Sequence, residues 1–198
     1  MPARDPVLCL ASASPRRRAL LLQLGVPHIA RGAHIDETPR PGEASRDYAA
    51  RLAEEKARAL WQASRALPVL AADTVVVLDG ALYGKPADRK AALAMLASLS
   101  GRVHEVVSAV ALADERGVAH AVSVSAVGFR SLSAEECRAY WDSGEPRDKA
   151  GAYAIQGLAA AFIRSLDGSY SGVMGLPLFE TAELLRAAGI PYWLRDTP

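Results

Sequence analysis

Val69-Leu70-Ala71-Ala72-Asp73-Thr74-Val75-Val76-Val77-Leu78 is an apolar run broken only by an Asp-Thr pair. Its Val-rich makeup reads as a fully buried strand, the kind that sits inside an α/β sheet. An ionised carboxylate buried without partners costs several kcal/mol. Asp73 is therefore either satisfied by backbone N–H groups at a strand end, or it stands at a cleft, where it binds a divalent cation or activates water.

On either side of this run, short Val/Ile/Leu stretches alternate with Ala/Leu/Arg helical patterns, which predicts an α/β fold with a mixed, largely buried sheet flanked by helices. Strands are expected at Val7–Ala11, Val69–Leu78, Val103–Ala113, Ala119–Arg130 and Ala161–Leu166. The runs at 105–113 and 119–130 flank Asp114-Glu115-Arg116-Gly117, a turn that makes them an antiparallel hairpin. Helices are expected at Pro15–Leu24, Ser45–Arg65, Asp88–Leu99, Ala134–Ser143 and Leu178–Ala188. Their ends carry chemical markers: Ser14-Pro15 as N-cap and first helical position, Gly25 and Gly101 beyond C-termini, and Ser133 with Glu136 as a capping box. No repeat, low-complexity block or long linker appears, so residues 1–198 read as one domain.

Composition narrows the function classes. The 198 residues carry 23 basic and 22 acidic side chains, net charge +1, without the basic excess that duplex DNA binding by phosphate neutralisation demands. No nucleic-acid partner is expected, and any anion site is local. Cys9 and Cys137 stand far apart with no Cys-x-x-Cys or Cys/His spacing, which excludes a disulfide framework and a thiolate zinc site. The apolar stretch Val7–Ala11 is too short for a signal-peptide core and no run approaches a membrane span, so a cytoplasmic protein is expected. Only four of the basic residues are Lys, namely Lys56, Lys85, Lys90 and Lys149, which points to Lys being kept where a compact ammonium is needed.

Several segments carry candidate chemistry. In Leu10-Ala11-Ser12-Ala13-Ser14-Pro15-Arg16-Arg17-Arg18 a strand gives way to a helix whose first turn holds three arginines. Cations oppose the positive end of the helix dipole, and a bound phosphate among hydroxyls, N–H groups and guanidinium forks resolves the conflict. Solvated arginines on a surface helix are the plainer reading. Gly80-Ala81-Leu82-Tyr83-Gly84-Lys85-Pro86 resembles a Walker A loop but has three residues between its glycines and Pro where Ser or Thr must hold magnesium, so a P-loop is rejected. What remains is a tight turn presenting Lys85, or a hairpin with an exposed lysine. In the loop Ser143–Gly157, Gln156 offers an amide that donates and accepts at once, matching the edge of uracil or thymine; a structural glutamine is the alternative. Gly168-Ser169-Tyr170-Ser171-Gly172 is no nucleophile elbow, because Tyr170 takes the serine position. Asp36-Glu37 precedes the second helix and Glu54-Glu55-Lys56 lies on it, each compatible with plain solvated charge. His28, His34, His104 and His120 form no metal-binding pattern, and His104-Glu105 lacks the second histidine of a zincin.

Together these segments closely resemble the Maf family of nucleoside triphosphate pyrophosphatases. The resemblance runs from S-x-S-P-R-R at Ser12–Arg17, through A-D-T-V-V at Ala72–Val76 and G-K-P at Gly84–Pro86, to G-S-Y at Gly168–Tyr170 and G-L-P-L at Gly175–Leu178. The D-K-A-G-A-Y-x-I-Q-G signature at Asp148–Gly157 is similar to the branch acting on dTTP and UTP rather than on 7-methyl-GTP. Tyr83 and Met174 depart from the residues common at those positions.

The resemblance implies two lobes around a central cleft, akin to the inosine triphosphate pyrophosphatases, and a homodimer. It implies hydrolysis of the α–β phosphoanhydride with Mg²⁺ or Mn²⁺, with Asp73 as general base and Glu37 as a metal-linked acid. Asp73 and Glu37 are thereby the implied metal ligands. Lys56 and Lys85 map onto phosphate-binding lysines. Ser12, Arg16 and Arg17 fall on the phosphate segment, and Arg16, Thr74 and Gln156 on positions tied to base choice. Two alternatives remain open: a pyrophosphatase for modified purine nucleotides such as 7-methyl-GTP, and a nucleotide-binding regulator of cell division or septum formation with little catalysis.

Overall fold

The computed structural model describes residues 5–193, so the two ends of the expected 1–198 domain lie outside the described residues. The strands are β1 (Leu8–Leu10), β2 (His28–Ala30), β3 (Val69–Leu78), β4 (Ala81–Tyr83), β5 (Val103–Asp114), β6 (Gly117–Phe129) and β7 (Ile163–Asp167). The α-helices are α1 (Pro15–Gln23), α2 (Ser45–Ser64), α3 (Arg89–Leu99), α4 (Ala134–Asp142), α5 (Tyr170–Met174) and α6 (Leu178–Ala187), joined by 3₁₀ turns at Ala150–Ala152 and Leu158–Phe162.

The sheet runs β2-β1-β3-β5-β6-β7, with β4 paired to β3. Cys9 lies opposite both Ile29 and Val69 in parallel registers, whereas β3/β4 and β6/β7 are antiparallel, so the sheet is mixed as expected. β3 is buried along its whole length except at Thr74, which is half-buried. The β5/β6 hairpin forms at the predicted turn, where the Arg116 N–H donates to Asp114 Oδ1 at 2.8 Å.

Four expectations need correction. β2 and β4 were not anticipated, because three-residue strands are too short to show a period. β4 follows an Asp79-Gly80 turn with φ of 50° and 77°, the left-handed pair that a type I′ hairpin requires. Ala161 and Phe162 belong to a 3₁₀ turn rather than a strand, and β7 starts at Ile163. Ser14 occupies the N-cap of α1 but its side chain caps nothing; instead its N–H donates to Ser12 Oγ at 3.1 Å. The Ser133/Glu136 capping box on α4 is present in both directions.

The chain divides into two compact units. The first comprises residues 5–73, Ser108–Ser123 and 175–193 of the described chain, the second Thr74–Val107 and Val124–Met174, and the long strands β3, β5 and β6 contribute residues to each. The first unit buries Leu8, Leu10, Leu21, Val26, Leu52, Leu70, Leu176 and Leu185. The second has a core built on Val76, Leu96, Leu99, Val127, Phe129, Tyr140, Tyr153 and Phe162, with Phe129 meeting His104, Tyr153 and Phe162 edge to face.

Candidate active site

In the first unit α2 presents Ala49, Leu52, Ala53 and Ala57 to the interior, and Lys56 falls on that same buried stripe. A buried ammonium needs anionic partners. Lys56 Nζ donates to Asp73 Oδ1 at 2.7 Å and lies 2.7 Å from Glu37 Oε1, so one cation joins two carboxylates from separate segments. Lys56 and Asp73 are each 8% exposed, while the Glu37 side chain is largely open to solvent. The reading of Asp73 as an acid silenced by backbone amides, and of Lys56 as plain solvated charge, gives way to this ion triad.

Arg17 and Ser12 belong to the same unit. Arg17 Nε donates to the Gly175 carbonyl at 2.7 Å and its Nη1 approaches Ser12 Oγ at 3.5 Å. Burial lowers the Arg17 pKa, while the Asp73 field raises it, the neighbouring Arg16 lowers it and Glu37 raises it again, which ties Arg17 electrostatically to both carboxylates. Arg17 is therefore engaged with the protein's own groups rather than simply solvated.

Sequence reasoning did not single out the residues that hold Glu37 in place. The Tyr48 hydroxyl donates to the Glu37 carbonyl at 2.9 Å, and burial together with the fields of Asp73 and Glu37 raises its pKa. Arg51 grips Glu43 with Nε at 2.6 Å and Nη2 at 2.7 Å, and Nη2 also donates to the Thr38 carbonyl at 3.2 Å. This fork brings the Glu43 pKa down to about 2. Tyr48 and Arg51 lie one turn apart on α2, and the Arg51 guanidinium sits 5.6 Å from the centre of the Tyr48 ring. Their i, i+3 spacing ahead of Lys56 was the available signal.

The second unit holds the other predicted residues. Lys85 is exposed just past β4, in a segment fixed by a Gly151 N–H to Gly84 carbonyl bond of 3.1 Å. Gln156 is exposed at a turn closed by a Gly157 N–H to Ala154 carbonyl bond of 3.0 Å. Thr74 follows Asp73 on β3.

A family model described as Maf-like protein matches residues 7–188. The chain belongs to the Maf family. It is 57% identical to a dTTP/UTP pyrophosphatase of Bordetella avium, over 93% of this chain and 96% of that protein. It is 56% identical to a dTTP/UTP pyrophosphatase of Methylococcus capsulatus, over 96% of this chain and 95% of that protein. Among solved structures, a nucleoside-triphosphatase / dITP/XTP pyrophosphatase of Mycobacterium abscessus superposes with a TM-score of 0.45 at 17% identity, over 93% of this chain and 98% of that one.

No cluster of three His, Cys, Asp or Glu side chains with metal-binding geometry exists among the described residues. Asp73 and Glu37, which meet at the Lys56 ammonium, are the carboxylates that could hold Mg²⁺ or Mn²⁺ together with substrate phosphates and water. Cys9 and Cys137 are free and buried, and no helix among the described residues is long and apolar enough to cross a membrane.

Proposed function

We propose that this Maf protein is a hydrolase that cleaves dTTP and UTP at the α–β phosphoanhydride, releasing the nucleoside monophosphate and pyrophosphate. The observation that carries the reading is the Lys56 bridge between Asp73 and Glu37, an acid pair held ready on a scaffold whose relatives bear that activity in their names.

In the proposed reaction a water oxygen attacks the α-phosphorus as the bond to the bridging oxygen breaks, and pyrophosphate departs with the electron pair. Asp73 takes the water proton. Glu37 and Asp73 would hold a Mg²⁺ or Mn²⁺ ion, which when bound neutralises phosphate charge. Lys56, Lys85, Arg16 and Arg17 offset charge on the phosphate oxygens, Ser12 donates a hydrogen bond, and catalysis is mainly positioning with electrostatic stabilisation. Gln156, with Thr74, reads the pyrimidine edge through its paired donor and acceptor. The reading extends to a cytoplasmic homodimer.

The test is a nucleotide panel containing UTP, dTTP, CTP, dITP and 7-methyl-GTP with Mg²⁺ or Mn²⁺, reading monophosphate and pyrophosphate together. UTP and dTTP are expected to turn over fastest with equimolar products. Preferred turnover of 7-methyl-GTP, or none across the panel, would overturn the assignment. Asp73→Asn is expected to abolish pyrophosphate release while nucleotide still binds, and near wild-type turnover by that variant removes Asp73 as base.

A further inference from the structure

The loop that carries Gln156 is built on a carboxylate that the reaction does not use. Glu145 Oε1 accepts the Tyr140 hydroxyl at 2.8 Å and the Ala159 N–H at 3.3 Å, and Oε2 accepts the Leu158 N–H at 2.9 Å. The same Tyr140 oxygen accepts the Ala154 N–H at 3.2 Å. The segment is thus gripped on both sides of Gln156, upstream at Ala154 through the phenol and downstream at Leu158 and Ala159 by the carboxylate.

Between these grips the chain makes the Ala154–Gly157 turn, with Ile155 buried at 6% exposure in the core of the second unit and Gln156 pointing out. Gly157 lies directly on Glu145: a Cβ there would stand 2.2 Å from Oε2. Three donors face an acceptor-only group, a demand that a carboxylate meets and a primary amide does not, because the NH₂ of an amide would confront an N–H.

Resting on the reading of Gln156 as the residue that recognises the base, we infer that Glu145, relayed through Tyr140, is a positioning residue for base choice, fixing the turn from which the Gln156 amide addresses the pyrimidine. A merely structural anchor would be felt in stability alone. A positioning role is felt in discrimination, since an amide held at a fixed point loses its advantage when its backbone can shift.

The experiment measures kcat/KM for UTP and CTP on the full chain carrying Glu145→Gln, Tyr140→Phe or Gln156→Leu, beside thermal melts. Glu145→Gln is expected to lower the UTP/CTP ratio about tenfold, the worth of one hydrogen bond, with the loss in KM more than in kcat. Tyr140→Phe is expected to shift the ratio the same way and carries the test should Glu145→Gln not fold. An unchanged ratio in both variants, with a lowered melting temperature, while Gln156→Leu collapses it, overturns the proposal and leaves Gln156 as the base reader. An unchanged ratio in Gln156→Leu overturns the base-reading role itself.

Discussion

Lys56 is the residue on which the first unit's charge balance turns. Its ammonium and the Asp73 carboxylate are both nearly buried, so removing either leaves the other without its 2.7 Å partner. Lys56→Met is expected to cost about 3 kcal/mol, because an uncompensated buried charge is dearer than the pair, and urea denaturation measures it. Asp73→Asn leaves Lys56 its contact with Glu37 and should cost less. His104 sets a second, independent residue-scale effect. It is buried against Phe129, its Nε2 lies 2.9 Å from the Tyr153 hydroxyl, and its Nδ1 has no hydrogen-bond partner. Burial lowers its pKa from 6.5 to about 4. Above the ordinary value both folded and unfolded chains hold it neutral. Between there and the lowered value only the unfolded chain gains the proton. Stability is therefore expected to fall as pH drops through that window, by about 3 kcal/mol in all. Denaturant midpoints measured across it should flatten in His104→Gln, and an unaltered slope would remove His104 as the cause.

At the scale of elements, α2 works as a bracket for the loop that bears Glu37. Arg51 holds Glu43 and the Thr38 carbonyl, and Tyr48 holds the Glu37 carbonyl, so the loop is tied to one helical face at three points. Arg51→Met is expected to speed amide exchange at Thr38 and Arg40, to lower activity several-fold and to lower the melting temperature as well, since the Arg51 and Glu43 side chains it separates are only 13% and 9% exposed. Hydrogen exchange by mass spectrometry reads the first effect. Unchanged exchange in the loop would discard the bracket. Elements of this kind were legible in the sequence where local chemistry marks them. Ser133 and Glu136 announced α4, the Asp114–Gly117 turn announced the β5/β6 hairpin, and the apolar run of β3 announced a buried strand carrying one acid. β2 and β4 escaped because their three residues hold less than two periods, and their strand character comes from the neighbours they pair with. The candidate site was legible as residue types, Asp73, Lys56 and Glu37, but not as an ion triad, because pairing across 17 residues of chain is a tertiary fact. Lys56 did carry a signal: it follows Leu52 and Ala53 at helical spacing, on the face that goes inside.

On the scale of the whole molecule, β3, β5 and β6 each pass through both compact units. Neither unit owns a complete set of strands, so the chain is expected to unfold in one cooperative transition. Phe129→Ala, which empties the centre of the aromatic cluster in the second unit, should lower stability by about 3 to 5 kcal/mol. Near-UV and far-UV signals of that variant should move together in denaturant. Separated midpoints would mean that the units unfold independently.

The scarcity of lysine gives the molecule an uneven chemical map. Of its four side-chain amines, Lys85 and Lys90 stand in solvent while Lys56 is enclosed with its two carboxylates. Acylating reagents, which need a free and unprotonated amine, will tag the open pair quickly and reach the enclosed one last. A labelling time course followed by peptide mass mapping therefore doubles as a gauge of whether the ion triad is shut or open.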